Sequence, residues 1–119
     1  MKKCILIDAY AETITEVTIG EELQDIYSAI RCNTFECIDI GRFDTIYVDE
    51  EGLLKLNSQT KFFSIIGGYQ PIAGNGLVMG YIDETGESCD TTLSVNDVAS
   101  LVQFHTLEDV RKAVRQNKL

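Results

Sequence analysis

The chain is poor in the residues on which most hydrolytic and metal-dependent enzymes rely. Its 119 residues include one histidine (His105), one proline and no tryptophan. Nucleophilic catalysis needs a Ser or Cys beside a base, and nothing in the sequence marks a partner for this imidazole. The four cysteines lack the paired Cys-x-x-Cys spacing of structural zinc sites. We therefore predict no enzymatic activity, no cofactor, no metal site and reduced thiols.

Basic residues are also scarce. The net charge is −9, and residues 1–105 carry 17 acidic but only 6 basic side chains, whereas residues 106–119 carry 2 and 4. Nonspecific binding to DNA or RNA requires basic surface, so we predict no direct nucleic-acid binding. The acidity is compatible with solubility, with a surface that meets a basic partner, or with a nucleic-acid mimic.

Long apolar runs are absent as well. No run approaches the ~20 residues that a membrane span requires. The apolar residues 4–7 are followed by Asp8, and a signal-peptide core needs about 7–15 such residues. These features predict a cytoplasmic protein without membrane association. With 45% hydrophobic residues, residues 1–119 suit a single domain that has its own core.

The hydrophobic pattern predicts an α+β fold with a mainly antiparallel sheet and helices packed on one face, in the order ββαββ-loop-β-αα. Alternating patterns predict strands over residues 3–8, 13–19, 35–40, 43–49 and 77–82. Apolar residues at helical spacing predict a helix over 21–31.

The remaining segments give weaker patterns. Leu53 to Leu56 suggests a short strand, and Ser58 suggests the cap of a helical turn through residues 62–63. Ser94 and Thr106 resemble N-caps of two closing helices. The first of these would extend to Phe104, and the second would be a basic helix over 106–119.

The segment 62–80 concentrates the unusual backbone residues, with five of the nine glycines and the only proline. Glycine is required at positive φ or where another group approaches the backbone closely. The segment is therefore either a binding loop or a series of tight turns beneath a packed core. Its Gly74-Asn75-Gly76 sequence lacks the spacing of a dinucleotide-binding fingerprint, and there is no Walker lysine.

Two further motifs carry a family resemblance, mainly over residues 43–105. They are the Tyr-Val-Asp-Glu-Glu-Gly-x-Leu-Lys turn (47–55) and an Ile-x-Gly-x-x-x-Val-x-Gly element (72–80), followed by an acidic turn and a terminal helix. The chain resembles a family of small uncharacterised proteins of phages, plasmids and integrative elements. It departs from their pattern at 57–63, where a proline-bearing loop is frequent.

This resemblance implies a phage-type anti-defence protein in the host bacterial cytosol. One mechanism is a homo-oligomeric sponge that sequesters a nucleotide immune signal, either a cyclic oligonucleotide or an ADP-ribose type, without cleaving it. An alternative is an acidic inhibitor of a host nuclease or CRISPR-type effector. A non-immune interaction module is a third possibility.

For the sponge, we predict a ligand site around residues 61–81. Phe62 or Tyr69 would stack on a base, and Asn75 would present its amide to a polar edge. Arg31 and Arg42 would contact phosphate. The remaining candidates from the same segment are Lys61 and Tyr81. The competing role for Phe62 and Tyr69 is in the core.

Overall fold

The computed structural model describes residues 1–68, 70–82, 84–85 and 87–116. The first half of the chain holds β1 (Lys2–Asp8), β2 (Thr13–Ile19), α1 (Leu23–Ile30), β3 (Phe35–Ile40), β4 (Asp44–Asp49) and a 3₁₀ helix (Gly52–Lys55). The second half holds β5 (Lys61–Ile65), β6 (Ile72–Ala73), β7 (Gly76–Tyr81), β8 (Ser88–Cys89), α2 (Val95–Ala99), β9 (Val102–Thr106) and α3 (Leu107–Arg115).

These strands form two antiparallel sheets. The larger has the order β2-β1-β7-β4-β3, with β8 paired to β7, and the smaller has the order β6-β5-β9. Every pairing between described strands is antiparallel. The predicted α+β class with a mainly antiparallel sheet is confirmed.

The central strands of the larger sheet are apolar on both faces, so both faces are covered. Cys4 and Leu77 face α1, which packs through Ile26 and Ile30. The opposite face of β1, β4 and β7 packs against the smaller sheet and α2. The helices consequently lie on both sides of the sheet and not on the single face that we expected.

Two predicted helical segments are strands. Residues 61–65 form β5 and residues 102–106 form β9, and the two pair with each other. Val102 and Phe104 pack on the core, and the intervening Gln103 is exposed. This alternation has the period of a strand. We expected a helix here because the segment follows the short helix α2, and its apolar residues were interpreted as a continuation of that helix.

Of the remaining local predictions, one is wrong and two are confirmed. The segment expected as a short strand at 53–56 is the 3₁₀ helix. The two predicted caps are confirmed, because Ser94 and Thr106 each form a full capping box. The basic helix is present as α3, and its last predicted residues, 117–119, lie outside the described residues.

Candidate functional site

The structure does not bring the predicted ligand-binding residues into one place. Arg31 and Asn75 line the same small pocket. Lys61 begins β5, and its carbonyl accepts the Gly74 N–H at 2.9 Å. Phe62 is 1% exposed, at the floor of a separate groove between α3 and residues 53–58. Tyr69 lies outside the described residues.

Arg42 and Tyr81 lie together, but far from the pocket. The Tyr81 hydroxyl donates to the Arg42 carbonyl at 2.8 Å, and the Arg42 guanidinium lies 5.2 Å from the centroid of the Phe43 ring. The six residues of β3 separate this turn from the end of α1, a distance of about 20 Å at ~3.3 Å per residue. Arg42 and Arg31 are therefore too far apart to contact the same phosphate group.

The small pocket has a volume of about 260 Å³, and its lining residues come from several separate turns, loops and element ends. The turn after β1 supplies Tyr10, the end of α1 supplies Arg31, and the 3₁₀ helix supplies Lys55. The loop before β5 supplies Thr60, and the turn before β7 supplies Asn75. No local motif in the sequence links Tyr10, Lys55 and Thr60, so none of the three was predicted to bind a ligand.

Arg31 has an uncommon backbone conformation for a side chain of its size. It caps the C-terminus of α1 in the left-handed region, with φ 58° and ψ 52°, and its N–H donates to the Tyr27 carbonyl. Glycine or asparagine is usual at such a position. A cation here is favoured by the helix dipole. Within the described part of the chain its exposed guanidinium forms no ion pair.

Asn75 is held by one buried hydrogen bond. The Ala9 N–H donates to its Oδ1 at 3.0 Å, which identifies the oxygen of the carboxamide because a backbone N–H is only a donor. No hydrogen bond joins the NH₂ group to another described residue. Since no fully buried side-chain N or O atom in the described part of the chain lacks a partner, this group is not fully buried, and Asn75 lines the pocket. Asn75 thus offers a fixed donor on the pocket wall.

The two glycines that flank Asn75 have structural roles. Gly74 has φ +88°, a conformation that side chains rarely adopt. A Cβ at Gly76 would lie 2.7 Å from Cζ of Phe63 and 3.0 Å from Cγ2 of Ile46. The motif therefore combines a turn with close packing, and only its central residue carries a polar side chain.

Lys55 brings a second cation to the pocket. Its Nζ lies 2.9 Å from Oδ2 of Asp49, and this hydrogen bond raises the pKa of Lys55 above its ordinary value. Lys55 is consequently charged at neutral pH. Asp49 also lines the pocket, so the local charge is two cations against one carboxylate, in a chain whose net charge is −9.

A contact that was not apparent from the sequence joins Ser64 to His105. Ser64 Oγ lies 2.8 Å from His105 Nε2, on the paired strands β5 and β9. Hydroxyl and imidazole at this distance match the nucleophile–base contact of serine enzymes. However, among the described residues no carboxylate hydrogen-bonds the other ring nitrogen, and neither side chain lines the pocket.

Three of the four cysteines have thiols that burial makes harder to ionise. Burial raises the pKa of Cys4 to about 11, and burial likewise raises the pKa of Cys32 and Cys37. Low-pKa thiolates are the reactive form of cysteine. In the described ranges no group of three or more His, Cys, Asp or Glu side chains is arranged to hold a metal ion.

The fold and the pocket define a small α+β protein with two antiparallel sheets and a polar pocket at the loop end of the larger sheet. The chain belongs to the family described as Domain of unknown function (DUF3846), whose model matches residues 1–104. The resemblance to an uncharacterised family is confirmed, and it extends over the N-terminal hairpin and α1 as well.

The other comparisons add no relative. No curated protein and no solved structure matches the chain significantly. Among the described residues, no helix is long and apolar enough to cross a membrane.

Proposed function

We propose that the protein is a non-enzymatic binding protein that holds a phosphate-bearing nucleotide ligand in the pocket between Arg31 and Asn75. The observation that carries this proposal is the convergence of Arg31, Lys55, the Asn75 amide and the Tyr10 ring on one pocket. Two cations at one site are notable in a chain with only ten basic residues against nineteen acidic ones.

Each group has a distinct role in the proposal. The Arg31 guanidinium would bind a phosphate in bidentate geometry, and Lys55 would add a point charge. The Asn75 NH₂ group would donate to a ribose hydroxyl or a base edge. Tyr10, which is 50% exposed, would offer the stacking face that Phe62 does not offer from the interior.

The turn that carries Tyr10 is fixed in position. Asp8 Oδ1 accepts the N–H groups of both Tyr10 and Ala11 at 3.0 Å. This arrangement, together with the Ala9–Asn75 hydrogen bond, holds the turn after β1 against the turn before β7. Preorganisation of this kind reduces the entropy lost when a ligand binds.

The finer proposal is that the ligand is an immune signal, a cyclic oligonucleotide or an ADP-ribose type, sequestered intact in the host cytosol by a phage-type protein. Its support is the family resemblance. The pocket volume of about 260 Å³ is below the roughly 300–1,000 Å³ usual for ligand sites. We therefore include a homo-oligomer in the proposal, in which a neighbouring protomer completes the enclosure.

A thermal-shift screen with inorganic phosphate, ADP-ribose and cyclic dinucleotides and trinucleotides tests the proposal. Stabilisation by a nucleotide, recovery of that nucleotide unchanged, and a light-scattering mass above 13.3 kDa are the expected results. Conversion of the nucleotide would overturn the non-enzymatic part, and a monomer mass would overturn the oligomer part. Ligand binding that survives loss of the Arg31 cation would place the site elsewhere.

A second candidate function is binding of a basic protein partner, such as the nuclease or effector that the resemblance suggests. It is supported by the net charge of −9 and by a larger cleft with an acidic lining.

A further inference from the structure

A second cleft, larger than the nucleotide pocket, lies between the β3–β4 hairpin and residues 65–68 and 70–72. Its volume is about 660 Å³. The floor is apolar and includes Ile38, Ile40, Ile65, Ile72 and Leu101. The volume is within the range of ligand sites, and the cleft extends along β3 from Glu36 to Ile40 and onto Gly41 in the following turn.

The charge around this apolar floor has one sign. Glu36, Asp39, Asp49 and Glu50 line the cleft, and no lysine or arginine is among its described lining residues. Asp49 is paired with Lys55. The carboxylates of Glu36, Asp39 and Glu50 are on exposed residues and form no ion pair within the described part of the chain.

The same cleft borders a free strand edge. β3 pairs with β4 on one side, and no described strand pairs with its other side. Its outward N–H and C=O groups are therefore available to another chain. The opposite edge of the sheet, β2, carries a single carboxylate, that of Glu16.

We propose that β3 and the acidic cleft bind an extended segment of a partner protein that carries both apolar and basic residues. The segment would add to the sheet as a further strand beside β3, which is an established mode of peptide recognition. Side chains alternate between the two faces of a strand, so Glu36 shares the cleft face with Ile38 and Ile40. Asp39 lies on the opposite face. On the cleft face the bound segment would carry apolar residues over the floor and a lysine or arginine at the end beside Glu36 and Glu50. On the opposite face a basic residue would contact Asp39.

This surface gives a location to the second candidate function. It adjoins the nucleotide pocket, with which it shares the lining residues Asp49, Gly52 and Ala73. However, Glu36, Asp39 and Glu50 line only the cleft.

The charge decides against a second copy of this chain as the occupant. Two β3 edges paired with each other would bring Glu36 and Asp39 of both copies together, and like charges on adjacent strands are destabilising. The competing interpretation is that these carboxylates only prevent edge-to-edge aggregation. That interpretation predicts no strand-like binding by a basic peptide.

The test uses a fluorescent ten-residue peptide of valines and lysines, with fluorescence anisotropy on the full chain. Its cleft face carries valines and ends in a lysine for Glu36 and Glu50, and its opposite face carries lysines. Its matched probes are an N-methylated version, which loses backbone donors, and a glutamate–valine version. One variant carries both Glu36→Lys and Glu50→Lys. A control variant carries Glu16→Lys and Glu87→Lys, and these two substitutions make the same charge change away from the cleft. Melting temperatures check folding, and a Glu36→Gln with Glu50→Gln variant replaces the first pair if that pair unfolds.

We expect the lysine–valine peptide to bind and the two matched probes to bind at least about tenfold more weakly. The Glu36/Glu50 pair should lose at least about tenfold in affinity, and the Glu16/Glu87 pair should lose less than about threefold. Equal losses in both pairs would show general charge attraction and overturn the proposal. Full binding of the N-methylated peptide, or a homodimer formed through β3, would also overturn it.

Discussion

Asn75 Oδ1 accepts the Ala9 N–H at 3.0 Å, and the two residues are 5% and 1% exposed. This hydrogen bond connects the turn before β7 to the turn after β1. It also fixes the orientation of the carboxamide, because the oxygen is the acceptor. The same side chain therefore makes a structural hydrogen bond through its oxygen and supplies, in the proposed function, a ligand donor through its NH₂ group.

Substitutions of Asn75 separate these two roles. In Asn75→Asp an oxygen still accepts the Ala9 N–H, but the donor is replaced by a negative charge that repels phosphate. Asn75→Ala leaves the Ala9 N–H buried without a partner, which costs about 1–3 kcal/mol. We expect Asn75→Asp to be more stable than Asn75→Ala in urea unfolding and yet to bind no nucleotide. Full binding by Asn75→Asp would contradict the proposed site.

Arg31→Asn removes a cation while it eases the backbone. Asparagine tolerates the left-handed conformation better than arginine, so we expect the melting temperature to be unchanged or slightly raised. A hydrogen bond to a charged group is worth about 1.5–3 kcal/mol, which corresponds to at least about a tenfold loss of nucleotide affinity by calorimetry.

Arg42→Asn is the matched control for Arg31→Asn. It makes the same change of charge at the opposite end of the β3–β4 hairpin, where the guanidinium lies over Phe43. We expect its nucleotide affinity to remain within about threefold of that of the unmodified protein, because an isolated surface charge contributes little. Similar losses in Arg31→Asn and Arg42→Asn would indicate a general effect of charge and not a specific contact.

Gly76→Ala tests whether this glycine serves packing. The added methyl would lie 2.7 Å from Cζ of the buried Phe63 ring, and overpacking of this kind costs about 1–3 kcal/mol. The comparison is Gly41→Ala, where a Cβ meets nothing within 4 Å and only the positive φ is unfavourable. We expect a lower urea midpoint for Gly76→Ala than for Gly41→Ala, and the reverse order would contradict the packing role.

The helix caps predict a loss of stability in acid. Asp97 accepts the Ser94 N–H at 2.8 Å and Asp109 accepts the Thr106 N–H at 2.9 Å. These backbone hydrogen bonds lower the pKa of each carboxyl below its ordinary value of 3.8. Because the folded pKa is the lower one, the stabilisation is present above pH 3.8 and is lost as the pH falls through the folded pKa.

Circular dichroism of the double variant Asp97→Asn with Asp109→Asn measures this contribution. We expect its melting temperature to fall less than that of the unmodified protein as the pH is lowered from neutral to about 3, a range that spans the ordinary aspartate pKa. Parallel pH profiles would show that the caps do not contribute to acid sensitivity.

The sequence was sufficient for the parts of the fold that depend on local pattern. Alternation and turn residues predicted β1 to β4, and the Ser94 and Thr106 caps were recognisable from the acidic residue three positions later. Residues 61–65 and 102–106 were misassigned because each is only five residues long. Their strand character depends on pairing with each other across about 40 residues.

The same physical limit applies to the candidate site. Arg31 and Asn75 were identifiable because one is a scarce cation and the other lies between two glycines. Tyr10 and Lys55 reach the pocket only through the tertiary arrangement of the turn after β1 and the 3₁₀ helix. The Ser64–His105 contact was missed for that reason too, since 41 positions separate the two residues.

The most direct test of the proposed function is a ¹H–¹⁵N NMR titration of the full chain with ADP-ribose and with cyclic dinucleotides and trinucleotides. The account predicts that at least one nucleotide shifts the Asn75 side-chain NH₂ signals and the Arg31 backbone amide, and that Arg31→Asn abolishes these shifts. Shifts confined to the Arg42–Tyr81 turn or to the acidic cleft, or no shifts with any of these nucleotides, would contradict it.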